Sequence, residues 1–317
     1  MLMEGIKRIF CKFAIGKTLM LTMAVFSMVM TVQAQYIKKE PIRIWSDVDA
    51  RNMRVTLTPY LPVHNDRGIA VIVCPGGSYF WLDPKNESTK VGKWLAENGI
   101  AAFVLKYRTA TIGGFITHWR TPFGGARYPD MLQDVQRAHM IVRENASAWN
   151  INPERVGAMG FSAGGHLVAL AAERAGDNFL RLRGVDVNCS FSPDFVAAIY
   201  PVVTLSHPQY THRRSRRGLL GERDAYSAEM RDSLSLEKNV SAGMPPVFIV
   251  NCMDDPVVDY HNGMMLDSAL TDAGVSHKYI RYEKGGHGFG ASSTKGSAES
   301  RQWRAEFIKW LKDIYHD

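Results

Sequence analysis

From residue 42 onward the chain alternates short apolar runs with longer amphipathic stretches. IRIW and MRVTLTPYLP place apolar and polar side chains at alternate positions, which predicts two strands. Arg51-Asn52 between them reads as the turn of an antiparallel hairpin at a sheet edge. GIAVIVCPGG (68–77) is apolar without alternation, the pattern of a strand covered on both faces. A helix is predicted over 87–98, where Val91, Trp94 and Leu95 share a face and Gly99 supplies the stop. GIAAFVLKY is a second buried strand. A helix over 130–148 carries Met131, Val135, Ala138, His139 and Val142 on one side. RVGAMG is strand-like, and 163–175 is helical up to Gly176. VAAIYPVV, PVFIVNC and HKYIRYE are later strands, separated and closed by helices at 261–273 and 299–315.

Strands that alternate with helices imply a mostly parallel α/β sheet, with right-handed crossovers that place helices on both faces. No internal repeat or interdomain linker interrupts residues 35–317, which are expected to form a single domain. Two stretches break the alternation: 109–128, with two Gly-Gly pairs, and 204–241, which is basic and polar. Both are expected to be irregular insertions lying as a lid above the C-terminal edge of the sheet, where ligands of α/β folds bind.

The first 34 residues read differently. Lys7, Arg8, Lys12 and Lys17 precede the apolar run LMLTMAVFSMVM and then TVQAQ, the layout of a signal peptide with cleavage after Ala34. A secreted or periplasmic protein without a membrane span in its mature form is the expectation. Of 317 residues, 46% are hydrophobic and 22% charged, an ordinary globular composition with a net charge of +7. The leader holds four basic residues and one acidic one, which leaves +4. HRRSRR (212–217) supplies much of that surplus and reads as a solvated loop, with no nucleic-acid-binding motif beside it. Cys74, Cys189 and Cys252 are no disulfide scaffold, and no metal-binding spacing appears, so neither a metal nor a cofactor is expected.

The chemistry-bearing segment is GAMGFSAGGHLVAL (157–170). If RVGAMG is a strand and AGGHLVALAAE a helix, Ser162 sits on the sharp turn between them, between Gly160 and Gly164. Such a turn lifts the hydroxyl above the sheet and aims the Ala163 N–H at whatever reacts there. A serine needs a base to take its proton. His287 stands out among ten histidines because YEKGGHGFG puts it in a glycine-rich loop directly after a strand. The base needs an acid. Asp255 follows the strand PVFIVNC and precedes Pro256; Asp254 is the runner-up. The order Ser162, Asp255, His287 is that of α/β-hydrolases. CPGGSYFW offers backbone N–H groups at Gly76 or Gly77 which, with Ala163, would form an oxyanion hole; the other reading is a tight Pro-Gly turn. Tyr79, Phe80, Trp81 and Trp119 are candidate substrate contacts, or else core aromatics.

VIVCPGGSY, GFSAGGHL, DDPVV and YEKGGHGFG together resemble secreted bacterial α/β-hydrolases of the acetylxylan esterase and feruloyl esterase-like group, and more broadly the hormone-sensitive-lipase-like esterases. The likeness extends to YPDMLQDVQRA and GLLG. It implies an eight-stranded, mostly parallel sheet and ester hydrolysis by acyl-serine chemistry without a metal. The nucleophile matches Ser162, the acid Asp255, the base His287, and the oxyanion loop Gly76 and Gly77. Pro75 stands where lipase-like relatives have histidine, and Ser78 where many have a third glycine. The expected substrate is a small-molecule or polysaccharide ester, with removal of acetyl or feruloyl groups from plant polysaccharide. The alternatives are a prolyl-oligopeptidase-type peptidase and a non-catalytic binding protein.

Overall fold

In the computed structural model, which describes residues 35–48, 54–224 and 227–316, the chain opens with β1 (Tyr36–Lys38), β2 (Ile42–Arg43) and β3 (Thr56–Pro62). There follow β4 (Ala70–Cys74), α1 (Lys90–Glu97), β5 (Ala101–Lys106), α2 (Ile112–Thr117), α3 (Asp130–Glu144) and β6 (Val156–Phe161). The second half holds α4 (Ala163–Glu173), β7 (Val196–Ile199), α5 (Arg213–Asp224), α6 (Ala228–Ser233), β8 (Val247–Cys252), α7 (His261–Asp272), β9 (His277–Tyr282) and α8 (Trp303–Tyr315). The predicted leader and the Arg51-Asn52 turn lie outside the described residues.

The strands form one sheet in the order β1-β3-β5-β4-β6-β7-β8-β9, with β2 paired to β3. The expected eight strands become nine among the described residues, because β2 is a separate two-residue strand. From β5 to β9 every neighbouring pair is parallel, and β1, β2 and β3 are antiparallel. The expected hairpin is there, but β3 is not the edge. The segment Tyr36–Lys38 pairs outside it, a strand of three residues with Tyr36 half-buried and Ile37 and Lys38 exposed, too short to show an alternation.

β4 shows why the central runs are apolar without alternation. All five of its residues are buried, with Val71 and Val73 facing one cluster and Ile72 the other. α1 and α8 cover the first face through Val91, Leu95, Phe307 and Trp310. α3, α4 and α7 cover the second through Leu132, Leu167 and Leu266. Burial on this scale is what holds an α/β sheet together, at roughly 25 cal/mol per Å² of apolar surface.

The chain reverses direction across the sheet between β4 and β6: β5 lies to one side of β4 and β6 to the other. Loops leaving β4 and β6 therefore part, and a crevice opens at their C-terminal ends. The register aligns Cys74 with Gly160, Phe161 with Ile199, and Cys252 with Tyr282, so the segments after β4, β6, β8 and β9 emerge along one edge.

Both insertions depart from the irregular coil expected. The first contains α2 and a 3-10 turn at Thr121–Phe123; the second contains α5, broken at Gly221, and α6, whose N-cap Ser227 accepts the Met230 N–H. They are bound to each other. Tyr128 N–H donates to Leu219 O at 2.9 Å, Arg120 Nη1 to Gly218 O at 3.1 Å and Arg217 Nη2 to Phe115 O at 2.8 Å. The run HRRSRR is thus not a free loop. Arg213 and Arg214 are exposed, but Ser215 is buried and Arg217 lies over Phe80 and Phe115 at 4.9 Å from each ring centroid. The helix from 87 to 98 also starts differently: a π-helical turn at Lys85–Thr89 precedes α1, opened by Asp83 accepting the Lys85 and Asn86 N–H groups. Cys74, Cys189 and Cys252 are free thiols. No helix among the described residues is long and apolar enough to cross a membrane.

Candidate active site

Ser162 stands between β6 and α4 with φ 55° and ψ −118°, a conformation that costs an L-residue energy unless its surroundings enforce it. They do. Its N–H donates to Ile199 O at 3.0 Å, and its carbonyl accepts from His166 N–H at 3.1 Å and Val202 N–H at 3.2 Å. A Cβ on Gly160 would lie 2.0 Å from Gly164 O, and one on Gly164 would lie 2.1 Å from Cys74 O. Strand, elbow and helix meet at backbone distance, which is why glycine occupies both positions. Ser162 is 5% exposed.

His287 follows β9 and reaches over the elbow. Its Nε2 is 2.9 Å from Ser162 Oγ and its Nδ1 is 2.6 Å from Asp255 Oδ2. Asp255 accepts two further bonds at Oδ1, from the Val257 and Val258 N–H groups at 2.8 and 3.0 Å. A carboxylate that accepts at Nδ1–H leaves Nε2 as an acceptor aimed at the serine hydroxyl. The side chain of Asp255 has no exposed surface and that of His287 is 13% exposed, so the pair is shielded from water. The structure thus brings Ser162, Asp255 and His287 together. Asp254 has a different place: its Oδ1 accepts the Gly285 and Gly286 N–H groups at 2.9 and 2.8 Å and so fixes the loop that carries the histidine.

The loop after β4 runs beside the elbow. A Cβ on Gly76 would lie 2.9 Å from Ser162 Cβ, and one on Gly77, at φ 139°, would strike Trp81 O at 2.1 Å. The two glycines differ in what their N–H groups do. Gly76 N–H donates to Glu87 Oε2 at 2.7 Å, so it is not free to meet an oxyanion. Gly77 N–H has no acceptor among the described residues. The Ala163 N–H opens α4, where the first turn leaves its donors without partners inside the helix. Of the three backbone positions named from the sequence, Gly77 and Ala163 retain a donor.

The aromatic candidates separate in the same way. Tyr79 is fully buried, with its hydroxyl 2.8 Å from His166 Nδ1, and is a core residue rather than a substrate contact. Phe80 is likewise buried. Trp81 is half-buried beside the loop after β4, with the Arg214 guanidinium 5.2 Å from its ring centroid and Phe115 edge-on at 5.6 Å. Trp119 is 65% exposed on the first insertion.

Other residues at the site gave no sequence signal. Arg214 Nε donates to Ser78 Oγ at 3.0 Å, which docks α5 onto the loop after β4. His212 bonds Ser215 Oγ at 2.8 Å, and burial, reinforced by the charges of Arg214 and His287, pushes its pKa down to about 4. Tyr200 packs on the His287 ring with centroids 4.7 Å apart. Nothing in the residue types of a basic run foretells which of its members face a cleft. Among the described residues no cluster of three or more His, Cys, Asp or Glu side chains is arranged to hold a metal ion.

Residues 57–270 match the BD-FAE family. An acetylxylan esterase of Xylanibacter ruminicola is 31% identical over 289 residues, 90% of this chain and 52% of that protein. The endo-1,4-beta-xylanase B of Butyrivibrio fibrisolvens is 32% identical over 231 residues, 71% of this chain and 33% of that protein. The chain therefore spans about half or less of the length of these relatives. The crystal structure of an acetyl ester-xyloside bifunctional hydrolase from Caldicellulosiruptor lactoaceticus superposes with a TM-score of 0.72 at 30% identity, covering 87% of this chain and 96% of that one. The strand order, the crevice and the match over residues 57–270 agree: the chain is an α/β-hydrolase and belongs to the BD-FAE family.

Proposed function

We propose that this protein is a serine carboxylic-ester hydrolase that removes acetyl or feruloyl groups from plant polysaccharide, xylan above all. The observation that carries the reading is the continuous line from Asp255 Oδ2 through His287 to Ser162 Oγ, at 2.6 and 2.9 Å, on a backbone elbow. The relatives named for acetylxylan esterase and xyloside hydrolase activity support the substrate class.

In this mechanism His287 Nε2 takes the Ser162 proton as Oγ attacks the ester carbonyl. The Gly77 and Ala163 N–H groups receive the oxyanion, each worth on the order of 3 kcal/mol of barrier. Asp255 stabilises the imidazolium. His287 then protonates the departing sugar oxygen, which leaves an acyl-serine. Water, deprotonated by His287, attacks that ester, and collapse returns the proton to Ser162 and releases the acid. Trp81 and Trp119 are the proposed sugar contacts. Residues 1–34 are proposed as a signal peptide, and 35–317 as one domain acting outside the cytoplasm on polymer. The basic region and apolar run of the leader support this.

The test is acetate release from acetylated xylan by the protein lacking residues 1–34, beside Ser162→Ala. Release that disappears in the variant, together with fluorophosphonate labelling only of the Ser162 protein, is the expected result. Release that survives in Ser162→Ala would sink the acyl-serine reading. Activity on proline peptides but not on esters would favour the peptidase.

A further inference from the structure

Glu87 is a carboxyl group that the mechanism above does not use, yet it touches most of its parts. It lies in the π-helical turn before α1, 3% exposed, with no cation among the groups bonded to it. Oε2 accepts the Gly76 N–H at 2.7 Å and Oε1 accepts the Tyr200 hydroxyl at 2.9 Å. The Tyr200 oxygen in turn accepts the Gly290 N–H at 2.9 Å, three residues beyond His287, and the Tyr200 ring packs on the imidazole. The Cβ position of Gly76 lies 2.8 Å from Glu87 Oε2 and 2.9 Å from Ser162 Cβ, so carboxyl and nucleophile both close on the space that a side chain at Gly76 would fill. That of Gly288 lies 4.0 Å from Glu87 Oε1. One buried carboxyl thus joins the oxyanion loop, the segment after β7 and the histidine loop.

We propose that Glu87 is a positioning residue of the reaction: it commits the Gly76 N–H so that, of the two loop glycines, Gly77 presents the donor that joins Ala163 at the oxyanion, and through Tyr200 and Gly290 it holds His287 in line with Ser162. The inference rests on the serine-esterase reading of the same site.

The hydrogen bonds favour the charged form. Both carboxyl oxygens face donors, Gly76 N–H and Tyr200 O–H, and the tyrosine cannot turn its proton elsewhere while its oxygen accepts from Gly290. A protonated Glu87 would set one donor against another. The carboxyl pKa lies above its ordinary 4.5 because burial outweighs the Gly76 bond, the charge of His287 and the Tyr200 bond, which favour the carboxylate, and Asp83 acts with burial. Those partners favour the carboxylate most when His287 is an imidazolium. That is its state in the transition state and not in the resting enzyme, so the carboxylate lowers the barrier rather than tightening substrate binding.

Glu87→Gln keeps the volume and removes the charge, and one of its ends must then present an N–H to Gly76 or to Tyr200. With 4-nitrophenyl acetate as probe, kcat should fall about 10- to 100-fold, with KM changed less than about threefold. The inflection on the acid side of the kcat/KM profile should move about half a pH unit lower, because a charge that favours the imidazolium is gone. A purely structural residue would lower activity without moving that inflection. A kcat within twofold of the wild type, or a loss with the inflection unmoved, overturns the proposal. Should Glu87→Gln fail to fold, Tyr200→Phe decides: it keeps the carboxylate, and an unchanged kcat there also overturns it. An inactive wild-type protein would instead refute the esterase reading itself.

Discussion

A methyl group on Gly160 would lie 2.0 Å from the carbonyl oxygen of Gly164, so the end of β6 and the first turn of α4 leave no room for a side chain. Backbone cannot yield as the end of a flexible side chain can. Gly160→Ala is therefore expected to cost more than the roughly 1–3 kcal/mol of ordinary overpacking. Gly176, past the end of the same helix, has nothing within 4 Å of its Cβ position, and Gly176→Ala should stay within about 0.5 kcal/mol of the wild type. Thermal unfolding of the two variants checks this, and a Gly160→Ala protein that melts with the wild type would refute it.

Asp254 and Asp255 are adjacent in sequence but bond different parts of the histidine loop. Asp255→Asn keeps the shape and loses the acceptor that sets the imidazole tautomer, so kcat should fall about 10³- to 10⁴-fold. Asp254→Asn retains an oxygen for the Gly285 and Gly286 N–H groups and should stay within about threefold of the wild type. Asp254→Ala frees that loop and should fall between them. Steady-state kinetics on a small aryl ester separate the three, and equal damage from both asparagine variants would contradict the division of roles.

The order Ser162, Asp255, His287 was legible because each lies shortly after a strand-like segment: β6 and β8 are the buried, largely apolar runs that a doubly covered parallel sheet demands, whereas β9, HKYIRY, is mixed and half-exposed. What could not be read has a common physical origin. Tyr79 follows the turn at 75–77 just as Trp81 does, yet one side chain turns into the core toward His166 and the other toward Arg214 of the second insertion. That choice is made by φ values of 55° at Ser78 and 63° at Tyr79, which no periodicity encodes. Glu87 and Arg217 are charged residues held by long-range partners, and a polar side chain gives no local sign that its partner lies a hundred residues away. The same holds for 204–241: its helices are tied down by arginines and a few leucines such as Leu219 and Leu220, too sparse to show as an amphipathic face.

His166 is fully buried on α4, with Nδ1 bonded to the Tyr79 hydroxyl and Nε2 2.9 Å from Leu234 O in the second insertion. Burial pushes its pKa down to about 4 from an ordinary 6.5. The folded-state value is depressed, so the unfolded chain takes up this proton first as the pH falls. The stability in question is fully present above pH 6.5 and is lost between there and about 4. One such histidine amounts to a loss on the order of 3 kcal/mol. His139, pushed down to about 3, adds in the same direction. Urea unfolding from pH 7.5 to 4 should show the decline, and His166→Gln, weaker at pH 7.5, should show a shallower one. Parallel curves for the two proteins would mean that His166 carries none of the acid sensitivity.

Trp119 and Trp81 both lie at the edge of the sheet that carries Ser162, but their surroundings give them different tasks. Trp81 packs between Arg214 and Phe115, and its carbonyl meets the Gly77 turn, so any change there disturbs the loop after β4, which is the proposed oxyanion loop. Trp119 stands clear of the core, with an open ring on a helical insertion that also exposes Ile112, Ile116 and Phe123. An exposed indole contributes on the order of 1 kcal/mol to a sugar laid across it, about fivefold in affinity. Trp119→Ala should therefore raise KM for acetylated xylan about fivefold and leave 4-nitrophenyl acetate hydrolysis unchanged, because an acetyl ester of a small phenol does not reach so far. Trp81→Ala should lower kcat on both substrates. If Trp119→Ala leaves KM for the polymer where it was, the first insertion does not bind the glycan. If it lowers small-ester turnover as Trp81→Ala does, the insertion acts by supporting the oxyanion loop and not by holding sugar.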